Sequence, residues 1–266
     1  MNSREDAERA WLETIPARAG APALYIFPHA GAGAGSYLSW ARALGPSCAL
    51  HAVRYPGRER LVREPFWPSV DCAVASLAER IPRGSSTPYV LFGHSLGALL
   101  AFELARELRR RGSPPPALLI VSGSRAPEFA ARIPPVSGLS DEDFVAAVSQ
   151  RYALLPRELL RDAAALKYYT DLMRADIRLV ERYAYRSSKP LACDVEVLCG
   201  RSDPLVTEEM AQAWSGHGRR ARVSWYEGDH FFIHQSKNEV IDHLRPLLVS
   251  AGLLEPGVVN VGGGVS

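Results

Sequence analysis

Apolar and polar positions along this chain fall into two alternating textures. Short apolar, β-branched runs stand at Leu24–Pro28, Ala49–Arg54, Tyr89–Gly93, Ala117–Ser122, Val195–Gly200 and Arg222–Tyr226. Several are near-continuous rather than alternating, the pattern of parallel strands covered on both faces. Between them lie stretches with helical spacing at Tyr37–Leu44, Val70–Ile81, Leu96–Arg111, Glu208–Ser215 and Val240–Leu248. In the third of these, Leu99, Leu100, Phe102, Leu104 and Leu108 stand beside Glu103, Arg106, Glu107, Arg109 and Arg110. Gly112 supplies a stop signal, and the prolines at 114–116 prevent continuation. Strand and helix in alternation predict an α/β fold built on a doubly wound, mostly parallel sheet.

One interval breaks the rhythm. From Arg125 to Pro190 no strand pattern appears, although a plain crossover needs only a dozen or so residues. The interval is helical in pattern instead. Ser140 is placed as an N-cap, with Asp143 three residues on, and Pro156 and Asp162 punctuate the next run. The expectation is a single domain over 1–266, with a helical lid inserted at 125–190 over the strand ends. The Gly-rich tail, 255–266, is expected to be disordered.

Composition narrows the field. Of 266 residues, 47% are hydrophobic and 23% charged, ordinary for a globular protein, and the net charge of +2 argues against a dedicated nucleic-acid binder. No apolar run is long enough to span a membrane, and the polar, acidic start lacks the apolar core of a signal peptide. Cys48, Cys72, Cys193 and Cys199 are scattered without a C-x-x-C pair. That pattern argues against zinc and fits reduced thiols, so a cytoplasmic location is expected.

Gly93-His94-Ser95-Leu96-Gly97 follows an apolar strand and opens a helix. G-x-S-x-G alone is weak, but strand–turn–helix context places Ser95 in a strained elbow at the carboxyl edge of the sheet, at a helix N-terminus. A serine hydroxyl needs a base. Asp203 follows the run V-E-V-L-C-G and His230 follows R-V-S-W-Y-E-G, each in a loop after a strand. Ser95, Asp203 and His230 therefore form the candidate catalytic set, with His230 as base and Asp203 holding its tautomer. His234 and His217 compete as bases but are expected on the surface. Asp229 and Glu227 share the histidine's own loop and are poorly placed to orient it.

The Gly-rich stretch F-P-H-A-G-A-G-A-G-S-Y, residues 27–37, admits two readings. A dinucleotide cradle wants G-x-G-x-x-G and an acid some 20 residues on. Here the glycines are 31, 33 and 35, and the second strand ends at Arg54. With a serine elbow present, the loop reads better as one side of an oxyanion hole. Leu96 would give one N–H and Ala30 the other, with Gly31 the near alternative. His29 is expected to be structural, hydrogen-bonded within the loop.

Taken together, P-H-A-G-A-G-A-G-S-Y, R-Y-P-G-R-E-R-L, the G-H-S-L-G helix, L-S-D-E-D-F, R-A-D-I-R-L-V-E-R-Y-A-Y, G-R-S-D-P-L-V and G-D-H-F-F resemble the type II thioesterases of polyketide and nonribosomal-peptide pathways. The resemblance implies an α/β-hydrolase fold and an editing enzyme that removes acyl groups from carrier-protein phosphopantetheine arms. It places the family's triad on Ser95, Asp203 and His230, and its oxyanion donors near Ala30 and Leu96. It implies no cofactor, an acyl or peptidyl carrier protein as partner, and a monomer. Ala32 interrupting the glycines, Leu96 after the nucleophile and the bulky Tyr152–Pro156 segment depart from the family's habit, and bear on acyl preference rather than on the reaction. Arg54, Arg58, Arg60, Arg63 and Arg109–Arg111 are candidates to steer an acidic carrier. The lid is expected to move to admit the arm. A small-ester hydrolase on the same fold is the alternative reading. A cyclising, product-releasing enzyme and a non-enzymatic carrier-binding scaffold are weaker ones. The first is usually fused behind a carrier domain, whereas this chain starts just before its first strand; the second has no need of a triad.

Overall fold

The structure, a computed structural model, describes residues 10–18, 20–44, 47–81, 87–132, 134–152 and 162–254. Its sheet has seven strands: β1 (Leu12–Ile15), β2 (Ala23–Phe27), β3 (Ala49–Val53), β4 (Tyr89–His94), β5 (Leu118–Ser122), β6 (Asp194–Gly200) and β7 (Ala221–Tyr226). Their order is β1-β3-β2-β4-β5-β6-β7. Six run parallel, and all six coincide within one residue with the apolar runs of the sequence. β1 was not expected. It pairs antiparallel with β3 at the edge, Leu12 opposite Val53 and Ile15 opposite Leu50.

The near-continuous apolar character of the central strands has a direct cause. Along β2, Tyr25 and Phe27 enter one core while Leu24 and Ile26 enter the other. β5 divides the same way, Leu119 and Val121 against Leu118 and Ile120. Side chains alternate between faces with period two, and here both faces are covered. On one side lie α1 (Leu38–Leu44) and α8 (Lys237–Ser250), contributing Trp40, Leu44, Val240, Ile241, Leu244 and Leu248. On the other lie α2 (Val70–Ala78) and α3 (Leu96–Arg110), contributing Val70, Val74, Leu77, Leu100, Leu104 and Leu108. α3 stops as its sequence predicts: Gly112 has φ 73°, and the Ser113 N–H reaches the Leu108 carbonyl at 2.9 Å.

The interval between β5 and β6 contains a 3₁₀ turn at Pro127–Arg132, then α4 (Asp141–Tyr152) and α5 (Ala163–Arg182). Ser140 caps α4, its Oγ accepting from Asp143 N–H at 3.1 Å. Asp162 caps α5, accepting from Ala164 and Ala165 N–H at 2.9 and 3.0 Å. These helices share a small core of Val136, Phe144, Val148, Met173 and Ile177, with Ala30 packed against it. Beyond β6, α6 (Glu208–Gln212) runs into a 3₁₀ turn, and α7 (Phe232–Gln235) follows β7. Pro156 and the tail 255–266 lie outside the described residues.

Candidate active site

The loops after β2, β4, β5, β6 and β7 meet at the carboxyl ends of parallel strands, the edge where open α/β sheets hold their ligands. The loop after β4 is a sharp elbow. Ser95 has φ 56° and ψ −117°, a strained backbone for a residue with a side chain. Close packing enforces the turn. A Cβ on Gly97 would stand 1.9 Å from the Phe27 carbonyl oxygen, and one on Gly93 would stand 2.1 Å from the Gly97 carbonyl. The Ser95 N–H donates to the Ser122 carbonyl at 2.8 Å, tying the elbow to β5.

The loops after β6 and β7 supply an acid–histidine pair. His230 Nδ1 lies 2.7 Å from Asp203 Oδ2, and both residues are buried. The other Asp203 oxygen accepts from Leu205 N–H at 2.8 Å, which fixes the carboxylate's plane. A proton held on Nδ1 toward the carboxylate leaves Nε2 as the basic nitrogen. Ser95, Leu96, His230 and Ala30 all line one cavity of about 170 Å³, whose other walls include Leu99, Ala126, Ile177, Val180, Leu205 and Val206. Arg125, Arg151 and Glu181 also border it.

The N–H groups of the glycine-rich loop after β2 are largely engaged within the chain. Gly31 N–H donates to Asp176 Oδ2 at 2.8 Å, and Ala34 and Gly35 N–H each donate to the Glu59 carboxylate at 3.2 Å. Carboxylates of the chain itself occupy the donors that a nucleotide phosphate would need. Gly31 is thereby committed, whereas the Ala30 N–H has no protein acceptor among the described residues. His29 is structural as expected, its Nδ1 3.2 Å from the Tyr37 hydroxyl. Burial, then His234, His230 and Arg58, lower its pKa to about 3, so it is neutral at physiological pH. His94, bonded to Ser122 Oγ at 3.0 Å, is also held well below the ordinary range, chiefly by burial.

The competing residues are used elsewhere. Asp229 accepts from Phe231 N–H at 2.8 Å, capping its own loop, and Glu227 pairs with Arg201 at 3.1 Å. His234 is exposed, as expected. His217 corrects the expectation of a surface residue: it is buried, 2.7 Å from Glu128 and edge-on to Phe102 and Trp214.

Two of the arginines named as steering candidates also prove buried. Arg54 is 3% exposed and pairs with Glu13 and Glu59. Arg58 is 4% exposed and forms a two-pronged pair with Asp176 at 2.7 and 2.8 Å. Neither can meet an incoming protein, whereas Arg60 and Arg63 are exposed. Asp176 is not singled out by the sequence reading, although it lies within the R-A-D-I-R-L-V-E-R-Y-A-Y stretch. The signal existed: in α5, Asp176 sits on the stripe of Met173, Ile177 and Val180, an acid at a core position of a helical repeat.

Cys48, Cys193 and Cys199 are buried free thiols, and Cys72 is an exposed one. Among the described residues no cluster of His, Cys, Asp and Glu could hold a metal ion, and no helix is long and apolar enough to cross a membrane.

Comparison with known proteins gives the geometry its context. Residues 22–248 match the thioesterase domain family. The chain is 31% identical over 222 residues to the gramicidin S biosynthesis protein GrsT of Aneurinibacillus migulanus, covering 83% of this chain and 86% of the relative. It is 34% identical over 262 residues to the thioesterase PikA5 of Streptomyces venezuelae, covering 94% and 90% of the two chains. Among solved structures, the type II thioesterase BorB from the borrelidin biosynthetic cluster superposes with a TM-score of 0.80 at 32% identity, over 90% of this chain and 98% of that one. The chain belongs to the thioesterase domain family, hydrolases of thioesters on the α/β-hydrolase fold.

Proposed function

We propose that the chain is a discrete editing enzyme, hydrolysing acyl thioesters from the phosphopantetheine arm of an acyl or peptidyl carrier protein through Ser95, His230 and Asp203. The observation that carries the reading is the elbow: Ser95, at φ 56°, lines one cavity with His230, whose far nitrogen is held by Asp203 at 2.7 Å. In acylation, Ser95 Oγ attacks the thioester carbonyl and His230 Nε2 takes its proton. Asp203 stabilises the imidazolium that results. The carbonyl oxygen gains charge and is met by the N–H groups of Leu96 and Ala30. Collapse breaks the C–S bond, and His230 returns its proton to the departing thiol. Water, activated by the same histidine, then hydrolyses the acyl-Ser95 ester.

A thioester is more electrophilic than an oxygen ester and its thiolate leaves readily, so these groups meet the chemistry without a cofactor. The likeness to a gramicidin S biosynthesis protein and to type II thioesterases of the borrelidin cluster and the yersiniabactin NRPS/PKS pathway supports carrier-bound acyl groups as substrates. The helices of 125–190 act as a lid that moves to admit the arm, supported by the cavity walls they contribute through Ile177, Val180 and Glu181. The enzyme works as a cytoplasmic monomer, where carrier proteins are loaded. The test is a comparison of kcat/KM on one acyl group presented on a carrier protein, on N-acetylcysteamine and as an aryl ester. The reading expects the carrier to be preferred by at least about tenfold. Equal rates on all three would favour a small-ester hydrolase.

A further inference from the structure

Asp176 and Arg58 form a buried ion pair that ties α5 to the glycine-rich loop. Arg58 follows β3, and Asp176 lies 118 positions later, in the middle of α5. The Asp176 carboxylate accepts three hydrogen bonds: two from the Arg58 guanidinium, at 2.7 and 2.8 Å, and one from Gly31 N–H at 2.8 Å. Arg58 also donates to the Ala32 carbonyl at 2.8 Å. The pair therefore grips the loop on both sides of Gly31, by one N–H and one C=O. Both residues are under 5% exposed. An ion pair in such a place is poor evidence for stability, because its desolvation cost rivals its attraction. Its geometry suits orientation better.

We propose that Asp176 and Arg58 are positioning residues for the oxyanion hole. By holding the peptide that follows Ala30, and Gly31 at φ 80°, they fix the direction of the Ala30 N–H toward the reacting carbonyl. They touch no reacting atom. The inference rests on the oxyanion role given to Ala30 above, and it adds a condition: the hole is assembled only while α5 holds the loop. It also accounts for two stretches, R-Y-P-G-R-E-R-L and R-A-D-I-R-L-V-E-R-Y, that the triad leaves without a task.

Removing one partner alone would strand a buried charge and could unfold the chain. Two neutral pairs avoid this. In R58M/D176N the asparagine oxygen can still accept from Gly31 N–H. In R58M/D176L the shape is filled, but the acceptor is gone. The measurements are the melting temperature, kcat and KM on the acyl-carrier and on an aryl ester, and the inhibition constant of a trifluoromethyl ketone, which forms a tetrahedral adduct with Ser95. The expected result is that the leucine pair loses about 100-fold in kcat with KM within about twofold, the scale of losing one oxyanion donor. Trifluoromethyl ketone affinity should fall by a comparable factor, and the asparagine pair should recover at least about tenfold of the lost kcat at a similar melting temperature. A folded leucine pair with wild-type kcat overturns the proposal, as does a loss that tracks melting temperature alone. If wild type cleaves the aryl ester through Ser95 but not the acyl-carrier, the carrier reading falls, and the two pairs still decide the clamp on the ester. If wild type shows no Ser95-dependent hydrolysis of either substrate, clamp and site fall together.

Discussion

Ser95, Asp203 and His230 carry the sharpest predictions at the scale of single residues. Asp203→Asn should keep the fold but present the wrong imidazole tautomer, lowering kcat by roughly 10³–10⁴-fold in a steady-state assay. Gly97→Ala tests the elbow itself. Its Cβ would stand 1.9 Å from the Phe27 carbonyl oxygen, and backbone on both sides cannot yield. Denaturant melts should show a loss of about 3 kcal/mol or more. These residues were legible in sequence because each sits in a local signature: a glycine pair around a serine, or an acid and a histidine just past an apolar strand. Arg58 and Asp176 were not legible as a pair. A loop arginine reads as solvated, and the carboxylate that buries it lies 118 positions away. His217 reads as a surface residue for the same reason, since its partner Glu128 is 89 positions distant.

Secondary-structure elements were legible to the extent that burial wrote itself into their pattern. The central parallel strands β2, β4 and β5 are apolar on both faces, and β3, β6 and β7 carry at least one apolar face, so the positions of all six stood out. β1 did not. It has only four residues, Leu-Glu-Thr-Ile, is half-exposed, and pairs on one side alone. α5 was visible from its punctuation, and its cap gives a further prediction. Asp162→Ala removes the acceptor of two N–H groups and should cost about 1 kcal/mol, read as a lowered midpoint in urea. α5 also sets the size of the cavity through Ile177 and Val180. Ile177→Ala should shift preference toward longer or branched acyl groups when a panel of acyl-carriers is compared, whereas an unchanged ranking would mean that α5 does not face the acyl chain.

Acid sensitivity belongs to the whole molecule. Burial lowers the pKa of His29 to about 3 and of His51 to about 4, and holds His94 well below its ordinary value. Unfolded, these histidines titrate near 6.5. Between the folded and unfolded values the unfolded chain binds more protons, so stability rises with pH across that window. The stabilisation is fully present above about pH 6.5 and is lost as pH falls toward 4, by at most about 1.4 kcal/mol per unit for each histidine. Urea melts at pH 7.5, 6, 5 and 4.5 should trace this slope, and His29→Gln should flatten it. A slope unchanged by that substitution would assign the acid sensitivity to other groups.

The claim on which the rest depends is that Ser95 removes acyl groups from a carrier arm. Intact-mass spectrometry of a carrier protein loaded in turn with acetyl, propionyl, butyryl and a longer acyl group reads that reaction directly. Wild type should return the carrier to its free-thiol mass, and Ser95→Ala should leave every acyl group in place. Acyl-carriers that persist with wild type, or that are cleared equally by Ser95→Ala, would contradict it.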